Sequence, residues 1–439
     1  MKKRLIAAVL ITASVILSSL FCLSCEKKAI IKFLTSNEDG NSGAQENVNF
    51  EVFFKPIVEF NGEAFPVKTL STASANSWYG APRMVNNDNY IGDIIGDFGA
   101  TIFLKGPSNE RITVTVEIEG DRFIKKSKLE AVIPTNKEIE VFPRISYNYG
   151  ALEHLVQPAS ENVYFRLIYG SDLIFEETEV VRFHSVNEVP IYELSRWDGE
   201  SVIDHRLFFA AYVNEDDPLI DKILEEALHI GVAEKIGYGN YFSFSGYQRK
   251  DQYGNSGLSV DLQVLAIWSV FLNHNVKYSN ITTTSTANNT ILTQYVRTLG
   301  ESFGNSQANC VDGSVLIASV LRKIGIEPYL IVIPGHMFLG YLKNQAPAEY
   351  AFLETTMLGD VDISKYAKDD SMFWNYFGFT GFENTQSTAI VNSFKAALAV
   401  GQKNFNEAQY GILDENNNDY IVINISNCRE LGIKPIVRN

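Results

Sequence analysis

The spacing of apolar residues changes near residue 190, and that change restricts the chain to a mixed architecture. From about 47 to 190, apolar positions recur at every second residue. Val48-Asn49-Phe50-Glu51-Val52-Phe53-Phe54 begins this way. Arg111-Ile112-Thr113-Val114-Thr115-Val116-Glu117-Ile118 alternates through eight residues, and Val163-Tyr164-Phe165-Arg166-Leu167-Ile168-Tyr169 repeats the style. Period two, carried by β-branched and aromatic residues, describes half-buried antiparallel strands. Asn61-Gly62 and Gly106-Pro107 supply turns between the runs. Several such strands in succession predict an immunoglobulin-like β-sandwich over 47–190.

Beyond Arg196-Trp197-Asp198 the period lengthens. Asp216-Asp217-Pro218 places acids and proline at the start of a helix over Leu219 to Leu228. A second helix is expected from Ser259 to Asn273, burying Leu262, Leu265, Ile267, Trp268, Phe271 and Leu272. A Thr/Ser/Asn-rich loop is expected beyond Thr282, then a polar, helix-like run from Ile291 to Arg297. The fold class is therefore α+β: a sandwich, then an α+β domain over 191–439.

The first residues read as an address. Lys2, Lys3 and Arg4 precede an apolar stretch from Leu5 to Phe21, the pattern of a secretory signal over 1–24. Leu23-Ser24-Cys25 resembles a bacterial lipobox, which would make Cys25 the lipid-bearing N-terminal residue. The polar, Gly/Ser/Asn-rich stretch Ser36 to Gly43 suits a tether over 25–46. The expected location is the bacterial cell envelope, lipid-anchored to a membrane and facing the periplasm or the exterior.

Composition removes several function classes. With 37 Lys+Arg against 52 Asp+Glu the formal charge is −15, and no basic patch offsets it, so nucleic acid is not an expected partner. Four cysteines and six histidines are too few for a disulfide scaffold or a Cys-rich zinc cluster. His154 and His184 read as surface or packed side chains, and His205, His229 and His274 lack ligand-spaced partners. No metal site and no cofactor are called for. Asp414 to Asp419 imitates a calcium loop but has Asp419 where glycine is needed and Ile425 where the bidentate glutamate belongs, so it reads as a polar turn. The aromatic run Phe373 to Phe379 suits either a groove wall or packing around an added loop.

Chemistry gathers between 305 and 357. Asn309 can cap a helix, Asp312 falls in its first turn, Lys323 lies near its end, and Gly325 can stop it. Cys310 then sits at the helix start, where unpaired N–H groups and the positive dipole end favour a thiolate. An apolar strand, Tyr329 to Ile333, follows. After Pro334-Gly335 comes His336-Met337-Phe338-Leu339-Gly340-Tyr341, and a loop from Lys343 to Glu349 returns as Tyr350-Ala351-Phe352-Leu353-Glu354-Thr355-Thr356. A thiol, an imidazole and a carboxylate arrive in the order helix, strand, neighbouring strand. Nucleophilic acyl chemistry needs that set.

These segments resemble the transglutaminase-like superfamily of papain-like Cys-His-acid proteins. The resemblance rests on Asn309-Cys310-Val311-Asp312-Gly313, the helix exit Arg322-Lys323-Ile324-Gly325-Ile326-Glu327-Pro328, Pro334 to Gly340, and Phe352 to Thr356. It implies a transglutaminase-like α+β domain with Cys310 as nucleophile and His336 as general base and acid. Glu354 takes the position usually held by aspartate. Gln307, three residues before the cysteine, is a candidate second oxyanion donor beside the Cys310 N–H. The implied function is an envelope-anchored cysteine peptidase, amidase or acyl transferase acting on a peptide or protein. The alternative is an inactive module of the same kind used for protein or envelope binding. Cys428 is expected to be a buried free thiol, with a Cys310–Cys428 disulfide as the competing state.

Overall fold

The computed structural model describes residues 28–34, 47–73, 90–92, 98–194, 202–229, 243–279, 284–288, 291–359, 385–414 and 417–436. Over these the architecture is mixed α+β with several sheets. It divides into two units: Met1–Ala64, Gly80–Ala151 and Ser160–Phe183 form one, and Phe65–Tyr79, Leu152–Ala159 and His184–Asn439 the other.

In the first unit the alternating segments pair as strands. They are β1 (Lys28–Leu34), β2 (Asn47–Val58), β3 (Glu63–Ala64), β4 (Tyr90–Gly92), β5 (Phe98–Lys105), β6 (Arg111–Gly120), β7 (Ile124–Lys125), β8 (Ser127–Pro134), β9 (Glu138–Phe142), β10 (Ser146–Tyr147), β11 (Ala159–Tyr169) and β12 (Asp172–Phe183). Two five-stranded sheets result, ordered β1-β2-β5-β9-β4 and β3-β12-β11-β6-β8. On β6, Ile112, Val114, Val116 and Ile118 are buried, and Phe165 and Leu167 of β11 stand opposite Ile118 and Val116. Each such side chain contributes about 1.5–3 kcal/mol by leaving water. Rings join the two sheets: Phe54 stacks on Phe175 at 5.8 Å and Phe98 on Phe183 at 6.4 Å. At the Asn61-Gly62 turn, Gly62 adopts φ +89°, a conformation that disfavours a side chain.

The second unit holds β13 (Glu188–Leu194), β14 (Val202–Asp204), β15 (Lys277–Tyr278), β16 (Thr284–Asn288), β17 (Ile291–Tyr295), β18 (Gln307–Ala308), β19 (Pro328–Ile333), β20 (His336–Gln345), β21 (Ala348–Leu353) and β22 (Ile421–Asn424). Its helices are α1 (Pro66–Thr72), α2 (Pro218–His229), α3 (Gly257–Asn273), α4 (Leu299–Gly304), α5 (Cys310–Lys323), α6 (Thr385–Leu413) and α7 (Ile425–Glu430). The sheet that matters for the site is antiparallel, ordered β21-β20-β19-β22. One face carries Ile331, Phe338 and Phe352, covered by Phe405 and Ile412 of α6. Tyr341 points to the opposite face and donates to Asp261 of α3 at 2.8 Å. Helix α5 packs against β19 and β20 and is buried from Val311 to Leu321.

Three local expectations are corrected. The run Ile291 to Arg297 is not helical: Ile291–Tyr295 is strand β17, with Ile291 and Thr293 buried and Leu292 exposed. The Thr/Ser/Asn-rich segment behind it contributes strand β16, paired antiparallel to β17. Their helical or loop-like composition is overridden by strand pairing, of β17 with β13 about a hundred residues upstream and of β16 with β17. The expected loop from Lys343 to Glu349 shrinks to a turn at Ala346-Pro347, because β20 runs on to Gln345 and β21 begins at Ala348.

Candidate active site

Cys310 is the first residue of α5, and its position is set by caps. The Asn309 side chain accepts from the N–H groups of Val311 (2.8 Å) and Asp312 (2.9 Å), while Asp312 accepts from Asn309 N at 3.1 Å. This reciprocal capping satisfies N–H groups that a helix start leaves unpaired. Asp312 is fully buried and bound by Arg297 through Nη1 at 2.6 Å and the backbone N at 2.8 Å. Burial pushes its carboxyl upward, and these donors oppose that shift. The Cys310 carbonyl accepts from Ser314 Oγ at 2.7 Å and from Thr355 Oγ1 at 3.4 Å. A Cβ on Gly313 would stand 3.0 Å from Thr355, so this glycine lets the residue after Glu354 lie against the turn that carries Cys310.

His336 opens β20, and Glu354 follows β21, so two adjacent antiparallel strands carry them. His336 Nε2 lies 2.7 Å from Glu354 Oε2, and the Cys310 thiol acts electrostatically on the same ring. Burial disfavours the charged ring; the interactions with Cys310 and with the Glu354 carboxylate outweigh it and push His336 up to about 10. Glu354 is 2% exposed and saturated. Oε1 accepts from Thr356 N (3.0 Å) and Thr356 Oγ1 (2.7 Å), and Oε2 also accepts from Asn404 Nδ2 at 2.8 Å.

A cleft of about 410 Å³ opens beside the imidazole and carboxylate, lined by Tyr278, His336, Glu354, Thr356, Met357, Val400 and Asn404. Tyr278 is placed there by the short parallel pairing of β15 with β18, where it stands opposite Ala308. Burial, then the negative charges of Cys310 and Glu354, hold its hydroxyl above the usual phenol range.

No protein-family model matches the chain, and no curated protein matches it. The structure brings Cys310, His336 and Glu354 together. Gln307 is exposed on β18, opposite Lys277, and does not line the cleft. Cys25 and the aromatic run Phe373 to Phe379 lie outside the described residues. Cys310 and Cys428 are both free, and burial pushes the Cys428 thiol up to about 11. Among the described residues no group of three or more His, Cys, Asp or Glu side chains could hold a metal ion, and no helix is long and apolar enough to cross a membrane.

Sequence reasoning missed Asn404, Tyr278 and Thr356. Asn404 reaches Glu354 because α6 docks on the end of β21. Ala397 O accepts from Glu354 N at 3.0 Å, Gly401 abuts the β21 backbone, and Asn404 lies one turn further along. A Cβ on Gly401 would overlap the Phe352 carbonyl and sit 2.7 Å from Leu353 N. Backbone cannot yield as a flexible side chain does. Gly401→Ala is expected to lift α6 from β21 and lower stability by about 1–3 kcal/mol. The shift in urea midpoint checks this; an unchanged midpoint would show that the contact is not tight.

Proposed function

We propose that the chain is an envelope-anchored thiol acyl-transfer enzyme, a cysteine peptidase or amidase. In this reading an immunoglobulin-like sandwich precedes a transglutaminase-like domain whose working residues are Cys310, His336 and Glu354. One observation carries it. Pairing with a glutamate does not set His336 apart, since His184 meets Glu188, His205 meets Glu193 and His274 meets Glu226. His336 differs because a half-buried thiol at a helix start shares its ring.

The mechanism follows from that pairing. The Cys310 sulfur attacks the carbonyl carbon of an amide and forms a C–S bond, with its own backbone N–H, unpaired at the helix start, receiving the oxyanion. The His336 imidazolium gives its proton to the leaving amine as the C–N bond breaks. The neutral ring then takes a proton from water or from an acceptor amine, which displaces the sulfur. Glu354 keeps Nε2 occupied throughout, so the nitrogen facing the sulfur is the one that exchanges protons. Lipidation at Cys25 would hold the enzyme at a membrane of the cell envelope, with peptides or proteins as substrates.

The test is to incubate the full chain with a peptide library and, separately, with an added primary amine, using Cys310→Ala as the control. Cleavage or amine incorporation is expected in the wild type alone. Identical profiles would favour the binding-module alternative.

A further inference from the structure

We propose that Asn404 is a positioning residue: its side-chain amide holds the Glu354 carboxylate in the orientation from which Oε2 reaches His336. The proposal rests on the reading that His336 works opposite Cys310. Glutamate carries one more methylene than aspartate, and therefore one more torsion that must be fixed before its carboxylate can orient an imidazole. Four donors fix it here. Thr356 holds Oε1 through its N–H and hydroxyl, while His336 and Asn404 converge on Oε2 at 2.7 and 2.8 Å. The Thr356 contacts are local and would let the carboxylate pivot about Oε1. The Asn404 contact comes from α6, fifty residues further along the chain, and blocks that pivot.

The helix is seated for this task. Ala397, Val400, Gly401, Asn404 and Phe405 fall at helical spacing on one face. Ala397 accepts the Glu354 N–H, Gly401 touches the Phe352 and Leu353 backbone, and Phe405 stacks on Phe352 at 3.8 Å. Asn404 is thus delivered by a rigid element, and it also lines the cleft beside His336. The titratable groups around the carboxylate are His336 from β20, Cys310 from α5 and Tyr278 from β15. On α6 itself, Lys403 and Glu407 are exposed and pair with each other at 3.8 Å.

The test compares the full-length wild type with Asn404→Ala and with Asn404→Leu, which keeps the volume but lacks the donor. Proton NMR titration of the His336 ring is the primary readout, and it needs no substrate. Both variants are expected to lower the His336 midpoint by about one pH unit or more, because the carboxylate no longer faces the ring. On any peptide that is turned over, kcat should fall about 10- to 100-fold with KM nearly unchanged. A lowered melting temperature with an unmoved His336 midpoint would make Asn404 merely structural and overturn the proposal. A raised midpoint would also overturn it, since Asn404 would then be competing with His336 for Oε2. If the wild type turns over nothing yet the midpoint drops in both variants, the enzymatic reading fails while the positioning of the ring by Asn404 stands.

Discussion

Cys310→Ala is expected to reduce turnover of any peptide that the wild type cleaves by at least about 10³-fold, while leaving the melting temperature within a few degrees of wild type. The two halves of this expectation have separate physical sources. Turnover goes because water has no competent replacement for the sulfur: without a C–S bond the amide must be attacked directly. Stability stays because the helix start is built from other groups. Asn309 and Asp312 cap α5, Arg297 pairs with Asp312, and Ser314 and Thr355 hold the backbone carbonyl of residue 310 rather than its thiol. Rates on the best peptides from a library, set beside thermal melts, measure both. A variant that still turns over would exclude Cys310 as the nucleophile, and one that unfolds would assign the thiol a packing role.

Glu354→Gln should be nearly as damaging, for a different reason. Four donors surround a carboxylate that has two oxygens, whereas glutamine offers one oxygen and an NH₂ group. Whichever way the amide turns, either the Thr356 pair or the His336 and Asn404 pair meets a donor. If the NH₂ faces His336, the ring must present its other tautomer, and the nitrogen facing Cys310 loses its correct proton state. Loss of the negative charge should also bring the His336 midpoint down from about 10 by roughly 1–3 pH units. Activity should fall about 10²- to 10⁴-fold. The stability change has a defined sign. A histidine raised in the folded state contributes stability that is fully present below its unfolded value of about 6.5 and is lost as pH rises through about 10. The wild type should therefore exceed Glu354→Gln most clearly near pH 6, and the gap should narrow toward pH 10. Urea titrations at those two values check it; a gap that widens with pH would mean that His336 is not held charged by this acid.

Much of the scaffold could be read from local signals. The strands at Arg111 and Val163 alternate because one face is buried. Helix α5 announces its ends through Asn309, Asp312 and Gly325, the last adopting φ +77° just past the helix. Cys310, His336 and Glu354 stood out because each begins or ends an element whose period is plain. The rest depended on partners distant in sequence. β16 and β17 are short and polar, and they become strands because β13 pairs with β17 and β17 in turn with β16. Asn404 and Gly401 look like ordinary positions of a long amphipathic helix until that helix is laid across the end of β21. Tyr278 carries no motif, and two ladder positions of β15 bring it to the cleft.

The central claim is that His336 holds Cys310 ready to react, and Cys428 provides an internal reference because it is buried with its thiol pushed up to about 11. The direct measurement is the rate of iodoacetamide labelling at each of these two cysteines from pH 5 to pH 9, read by peptide mass spectrometry, in wild type and in His336→Ala. Cys310 is expected to label much faster than Cys428, which stays nearly inert, and to lose about tenfold or more of its rate in His336→Ala. A Cys310 rate no greater than that of Cys428, or one that His336→Ala leaves unaltered, would contradict it.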